Sequence, residues 1–197
     1  MARLSLADIS DLRAYERERE EFRREVIALK RLRRVGIGPI LTVVLENATT
    51  VRFQIQEMAR AEKMVTDEQI AEELEIYNPL IPVPGELSMT MFIELTSEAE
   101  LREWLPRLVG IEGSVVAVIG EGDAATVVRA EVDPAHASQL TREEVTASVH
   151  YVRLELPEAA RARFLTERVT LGTDHPDYSY AAELSAEAKA SIASDWQ

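Results

Sequence analysis

Residues 40–56 read ILTVVLENATTVRFQIQ, and the fold turns on how this stretch divides. From Ile40 to Glu46 nearly every position is branched or aliphatic, the composition of a strand. Glu46, Asn47, Ala48 and Thr49 read as a short turn. Residues 50–56 then alternate, with Val51, Phe53 and Ile55 on one side and Arg52, Gln54 and Gln56 on the other. The pattern predicts two strands joined by that turn.

On the N-terminal side, 5–34 reads as helix. Ser5 and Asp8 form a capping pair, and Phe22, Val26 and Leu29 recur at helical spacing. Gly36, Gly38 and Pro39 end it. On the C-terminal side, 57–64 looks helical, and Thr66 with Gln69 caps a helix reaching Tyr77. Three prolines between Asn78 and Gly85 exclude a helix and make an ordered loop. A strand is predicted over 88–95, with Thr90, Phe92 and Glu94 on its non-core side. Ser97 with Glu100 caps a helix that Pro106 kinks or ends. Strands at 114–119 and 125–132 flank the turn residues Gly120, Glu121, Gly122 and Asp123. A loop over 135–142 leads to a long strand over 145–156. Pro157 opens a short helix to Leu165, a last strand covers 167–172, and 184–196 forms a loosely docked terminal helix.

Helices and hairpins mixed in this order, with few strand–helix–strand crossovers, indicate α+β: a mainly antiparallel sheet with flanking helices and an N-terminal helical arm. The expected division is an arm over 1–36, an α+β domain over 37–180, and a C-terminal helix or tail over 181–197.

Composition narrows the function. The chain of 197 residues is 46% hydrophobic and has no cysteine, which excludes a disulfide, a thiolate metal site and a cysteine-ligated iron–sulfur cluster. No apolar run reaches the ~18–20 residues of a membrane span. No apolar signal-like region follows Met1, so the expected address is the cytoplasm. The net charge of −13 is uneven. Residues 1–60 carry 12 Lys and Arg against 9 Asp and Glu, net +3, leaving −16 on the remainder. The acidic bulk argues against nucleic acid as a partner. The cationic run Arg23, Arg24, Lys30, Arg31, Arg33 and Arg34 reads first as a helix end complementing its dipole, and second as a docking surface for an acidic partner.

The non-core strand faces have a common polar character. Arg52, Gln54 and Gln56, then Thr90 and Glu94, then Thr146, Ser148 and His150 would line one polar wall if their strands share a sheet, extended by Glu57 and Arg60. Such a wall can bind a small polar ligand through Arg52, Gln54, Gln56, Glu57, Arg60, Glu94 and His150, or stand simply as a solvated sheet face. His150, Asp174 and His175 are the candidate ligands of a divalent metal. His136 reads as surface.

Several segments carry a resemblance: QIQEMAR (54–60), YNPLIP (77–82), TMFIE (90–94), SVHY (148–151) and DHP (174–176). Together they resemble the bacterial domain of unknown function 3501 family over residues 3–180. The resemblance implies a small soluble bacterial protein whose gene tends to lie beside those for a rubrerythrin and an iron–sulfur oxidoreductase. By association it implies an accessory or partner role in redox or peroxide handling, with either neighbour as partner. It brings no catalytic residues. The alternative is a ligand- or metal-binding enzyme or sensor using the His/Glu/Gln/Arg wall. A homo-oligomer remains open.

Overall fold

The computed structural model describes residues 3–131 and 145–196. The expected loop over 135–142 and His136 lie outside them. The fold is α+β, with two antiparallel four-stranded sheets and helices layered on the first.

After a 3-10 turn at Leu6–Asp8, α1 (Leu12–Arg33) leads directly into the first sheet. That sheet has the order β1 (Arg34–Ile37), β2 (Leu41–Leu45), β3 (Glu86–Ile93) and β6 (Val149–Glu155). The second has the order β5 (Thr126–Arg129), β4 (Val115–Ile119), β7 (Val169–His175) and β8 (Tyr178–Glu183). The remaining α-helices among the described residues are α2 (Ala48–Glu62), α3 (Asp67–Tyr77), α4 (Glu98–Arg107), α5 (Glu158–Arg163) and α6 (Ala186–Ala193).

One core lies between the two sheets. Ile37, Val43, Met89 and Met91 from the first meet Val115, Ala117, Ile119 and Leu171 from the second, all essentially inaccessible. Each contributes about 1–3 kcal/mol by leaving water. β2 is buried at every position because the core takes one face and helices the other. A smaller apolar cluster of Val51, Ile55, Leu74 and Ile81 holds α2 to α3.

Three expectations give way here. Residues 50–56 are not a strand. Asn47 caps α2: its side chain accepts from the Thr50 amide (3.0 Å), while Thr50 Oγ1 accepts from the Asn47 amide (2.9 Å). Val51, Ile55 and Ala59, spaced by four, are the buried stripe of that helix. Second, Ser5 and Asp8 do form a capping box, but on the 3-10 turn; Asp11 caps α1. Third, β6 begins at Val149, so Thr146 and Ser148 precede the strand, and β8 follows the Pro176–Asp177 turn where no strand was expected.

The two sheets meet along two seams. At one, the Glu131 amide donates to the Arg153 carbonyl (2.8 Å). At the other, β1 and β8 lie side by side, pinned by Tyr178, whose hydroxyl donates to the Ile37 carbonyl (2.6 Å) and accepts from the Ile40 amide (3.1 Å). The β1–β2 turn passes directly under the tyrosines. Gly38 has φ +70°, and a Cβ there would stand 2.5 Å from Tyr180 Cγ and 2.6 Å from the Tyr178 hydroxyl. Gly38→Ala is expected to cost about 2 kcal/mol or more in urea denaturation. Gly36→Ala, with open space around its Cβ, should stay within about 1 kcal/mol of the parent.

Candidate functional site

Because α2 is a helix, its polar residues do not share one face. Gln56 points inward and is wholly buried. Its Oε1 accepts from the Ser10 amide (2.7 Å) and its Nε2 donates to the Ser10 carbonyl (3.2 Å). Asn78 treats Leu4 in the same way, accepting from its amide (2.8 Å) and donating to its carbonyl (2.9 Å). Two side-chain amides thus strap residues 4–10 across α2 and α3, as a neighbouring strand would.

Glu57 faces α1. It accepts from the Tyr15 hydroxyl (2.7 Å) and takes a two-pronged contact from Arg19, Nε at 2.7 Å and Nη2 at 2.8 Å. Arg60 donates to Glu16 (2.5 Å), and Arg52 lies over the Phe22 ring (5.0 Å) and 3.7 Å from Glu18. Gln54 is half-buried on a different side of α2. The Arg19 guanidinium, aided by the Tyr15 hydroxyl, holds the Glu57 carboxyl below its ordinary value. Burial, then the Glu57 carboxylate, pushes the Tyr15 phenol up.

The other predicted residues lie elsewhere. Glu94 follows β3, accepting from Thr42 Oγ1 (2.8 Å) and pairing with Arg34. Thr90 faces α2 and donates to Glu46 (2.6 Å). His150 is buried in β6. Its Nε2 lies 2.8 Å from the Ala147 carbonyl, which can only accept, so that nitrogen carries the proton; it also meets Thr146 Oγ1 at 2.9 Å. Its Nδ1 stands 3.9 Å from the buried Glu112 carboxylate.

Asp174 and His175 are in β7, on the other sheet. Asp174 pairs with Arg129, which lowers its carboxyl. His175 accepts from the Asp177 amide at Nδ1 (3.2 Å) and faces the Val109 carbonyl through Nε2 (3.2 Å), an arrangement that engages both ring nitrogens. The structure therefore does not bring His150, Asp174 and His175 together. Among the described residues no group of three or more His, Asp or Glu side chains could hold a metal ion.

Sequence reasoning missed a buried polar network joining α1 to the C-terminal turn. Arg33, 1% exposed, ends α1. Its Nη2 donates to Asp195 (2.6 Å) and to the Ser191 carbonyl, and its Nε to Ser191 Oγ (3.0 Å). Asp195 also accepts from Asn47 Nδ2 (3.1 Å), and Glu46 accepts from Thr50 (2.5 Å) and Thr90. The terminal helix is thereby anchored, against the expectation of loose docking. Asn47 was legible as a cap; Asp195, 162 positions from Arg33, carried no local signal.

With the inner face of α1 so occupied, its outer face is exposed: Glu20 and Glu21 first, then Arg23, Arg24, Ile27, Ala28, Arg31 and Leu32 toward the C-terminal end. Among the described residues Arg23, Arg24 and Arg31 enter no ion pair. Ile27 and Leu32 are 43% and 46% exposed.

The clamp through Glu57 has a pH signature. Its folded value is depressed, so its contribution is complete above the ordinary 4.5 and is lost as pH falls through the folded value. Glu57→Gln is expected to cost about 1–2 kcal/mol at pH 7, partial exposure keeping it at that level. In urea titrations the gap to the parent should be full above 4.5 and narrow progressively as pH falls below it; a gap unchanged by pH contradicts the assignment.

Comparisons with known proteins agree with this architecture. A crystal structure of a protein of unknown function from Burkholderia pseudomallei K96243 superposes with a TM-score of 0.89 at 35% identity, covering 100% of both chains. No curated protein sequence matches. No helix among the described residues is long and apolar enough to cross a membrane. The family described as protein of unknown function (DUF3501) matches residues 3–196, and the chain belongs to it.

Proposed function

We propose that the chain is a non-catalytic accessory protein that docks an acidic partner on the outer face of α1, within a redox or peroxide-handling system. The observation carrying this reading is the division of labour on α1. Its inner side chains Tyr15, Arg19 and Arg33 are spent on the fold, while Arg23, Arg24 and Arg31 flank exposed Ile27 and Leu32. Cations around a small apolar centre suit a transient interface steered by charge. The redox setting rests on what the resemblance implies, genes for a rubrerythrin and an iron–sulfur oxidoreductase lying nearby, either of which would be the partner. A cytoplasmic address fits such partners. The alternative enzyme or sensor reading needs Glu57, Glu94 and His150 in one recess, and these lie on α2, after β3 and inside β6.

Titration calorimetry of the purified chain against rubrerythrin and the iron–sulfur oxidoreductase of the same host tests the proposal. One of them should bind at low salt and weaken as salt rises. The double variant R24E/R31E should bind at least ~10-fold more weakly with unchanged melting. Binding by neither protein at low salt rejects the redox partner; unchanged affinity in the variant rejects the α1 face.

A further inference from the structure

The two carboxamides that hold residues 4–10 come from two different helices, Gln56 from within α2 and Asn78 from the C-terminal end of α3. Each reads backbone and no side chain. Gln56 accepts from the Ser10 amide and donates to the Ser10 carbonyl; Asn78 does the same at Leu4. Recognition of this kind is largely indifferent to sequence, as at a strand edge. The apolar part of the seat is small. Leu4 and Ile9 pack on the cluster of Val51, Ile55, Leu74 and Ile81, and no residue of the 3-10 turn between them is buried.

The segment also fills its seat incompletely. A cavity of about 300 Å³ is lined by Leu6 and Ile9 of the segment and by Met64, Val65 and Ile70 of the helices and their turn. Leu6 is 41% and Val65 80% exposed. Charge is unbalanced here as well. α3 carries Asp67, Glu68, Glu72, Glu73 and Glu75 and no Lys or Arg. Among the described residues Glu73 Oε2 is buried without a hydrogen-bond partner. Burial, then the Glu62 and Glu72 carboxylates, raises the Glu73 carboxyl above its ordinary value. The α3 wall is short of positive charge.

We propose that the α2–α3 groove is a peptide-recognition site for a basic, apolar terminal segment of a partner protein, and that residues 4–10 are its exchangeable resident. The incoming segment meets Gln56 and Asn78 through its own backbone. It sets apolar side chains where Leu4 and Ile9 lie, a larger one than Leu6 into the cavity, and a lysine or arginine against α3. The resident competes because it is tethered, at an effective concentration on the order of mM. It is therefore displaced only by contacts it does not itself make, which are the filled cavity and the cation. The proposal rests on the groove alone and is independent of the docking reading of α1.

The probe is a fluorescein-labelled copy of residues 3–11 carrying Leu6→Phe and Ala7→Lys, titrated into the full chain by anisotropy, with backbone amide exchange read in parallel. Saturable binding is expected, with faster exchange at the Leu4 and Ser10 amides of the chain as the resident leaves. The chain variant L4S/I9S loosens the resident and keeps Gln56 and Asn78; it should bind the probe at least ~10-fold more tightly. A probe without Leu6→Phe, or with Ala7→Glu in place of Ala7→Lys, should bind about 5-fold more weakly. N-methyl groups at Leu4 and Ser10 of the probe remove only the two donors that the carboxamides accept from, and should abolish binding. Absence of binding to either chain up to about 1 mM, equal affinity of parent and variant, or equal binding of the methylated probe overturns the proposal. If the variant does not fold, the parent titration decides: binding without faster exchange at Leu4 and Ser10 overturns it too.

Discussion

A buried guanidinium sets the geometry of the helical layer. Arg33 ends α1 at the point where the chain turns into β1, and it is held by Asp195, Ser191 and the Glu46 carbonyl. A charge taken so far from water is costly unless it is paired and its donors are filled. Here every partner comes from a different element: the end of β2, α6 and the turn after it. The pair therefore fixes α1 against the sheet and the C-terminal segment against both.

The same principle governs the rest of the helical layer. Polar side chains there are matched by polar groups of the chain: Glu57 by the Tyr15 and Arg19 side chains, Gln56 by the Ser10 backbone, Asn78 by the Leu4 backbone. These contacts hold α1, α2, α3 and the N-terminal strap as one unit over the first sheet. What they leave outward is the cationic and apolar strip on α1.

Legibility in the sequence followed the range of the signal. Capping boxes at Thr66–Gln69 and Ser97–Glu100 are local, and both helices form where they were expected. The turn at Gly120–Asp123 is local too, and β4 pairs with β5 around it. Residues 50–56 misled because a helix and a strand both fit them: Val51, Phe53 and Ile55 alternate, while Val51, Ile55 and Ala59 repeat every four. The Asn47 cap decides for helix, and reading it as a turn residue cost the polar wall its first three members. β8 was invisible because its sequence, YSYAAE, has one buried position, Tyr178; β7 and the seam hold it in place. The Arg33 network could not be read at all, because nothing local ties position 33 to 195.

A double-mutant cycle on Arg33→Met and Asp195→Asn, read by urea denaturation at pH 7, tests most directly whether this buried pair organises the helical layer. Each single change should cost about 3–5 kcal/mol, and the coupling between them should reach about 2 kcal/mol or more. Additive effects, with coupling below about 0.5 kcal/mol, would mean that α1 is held in place by something else and that its outward strip has no such foundation.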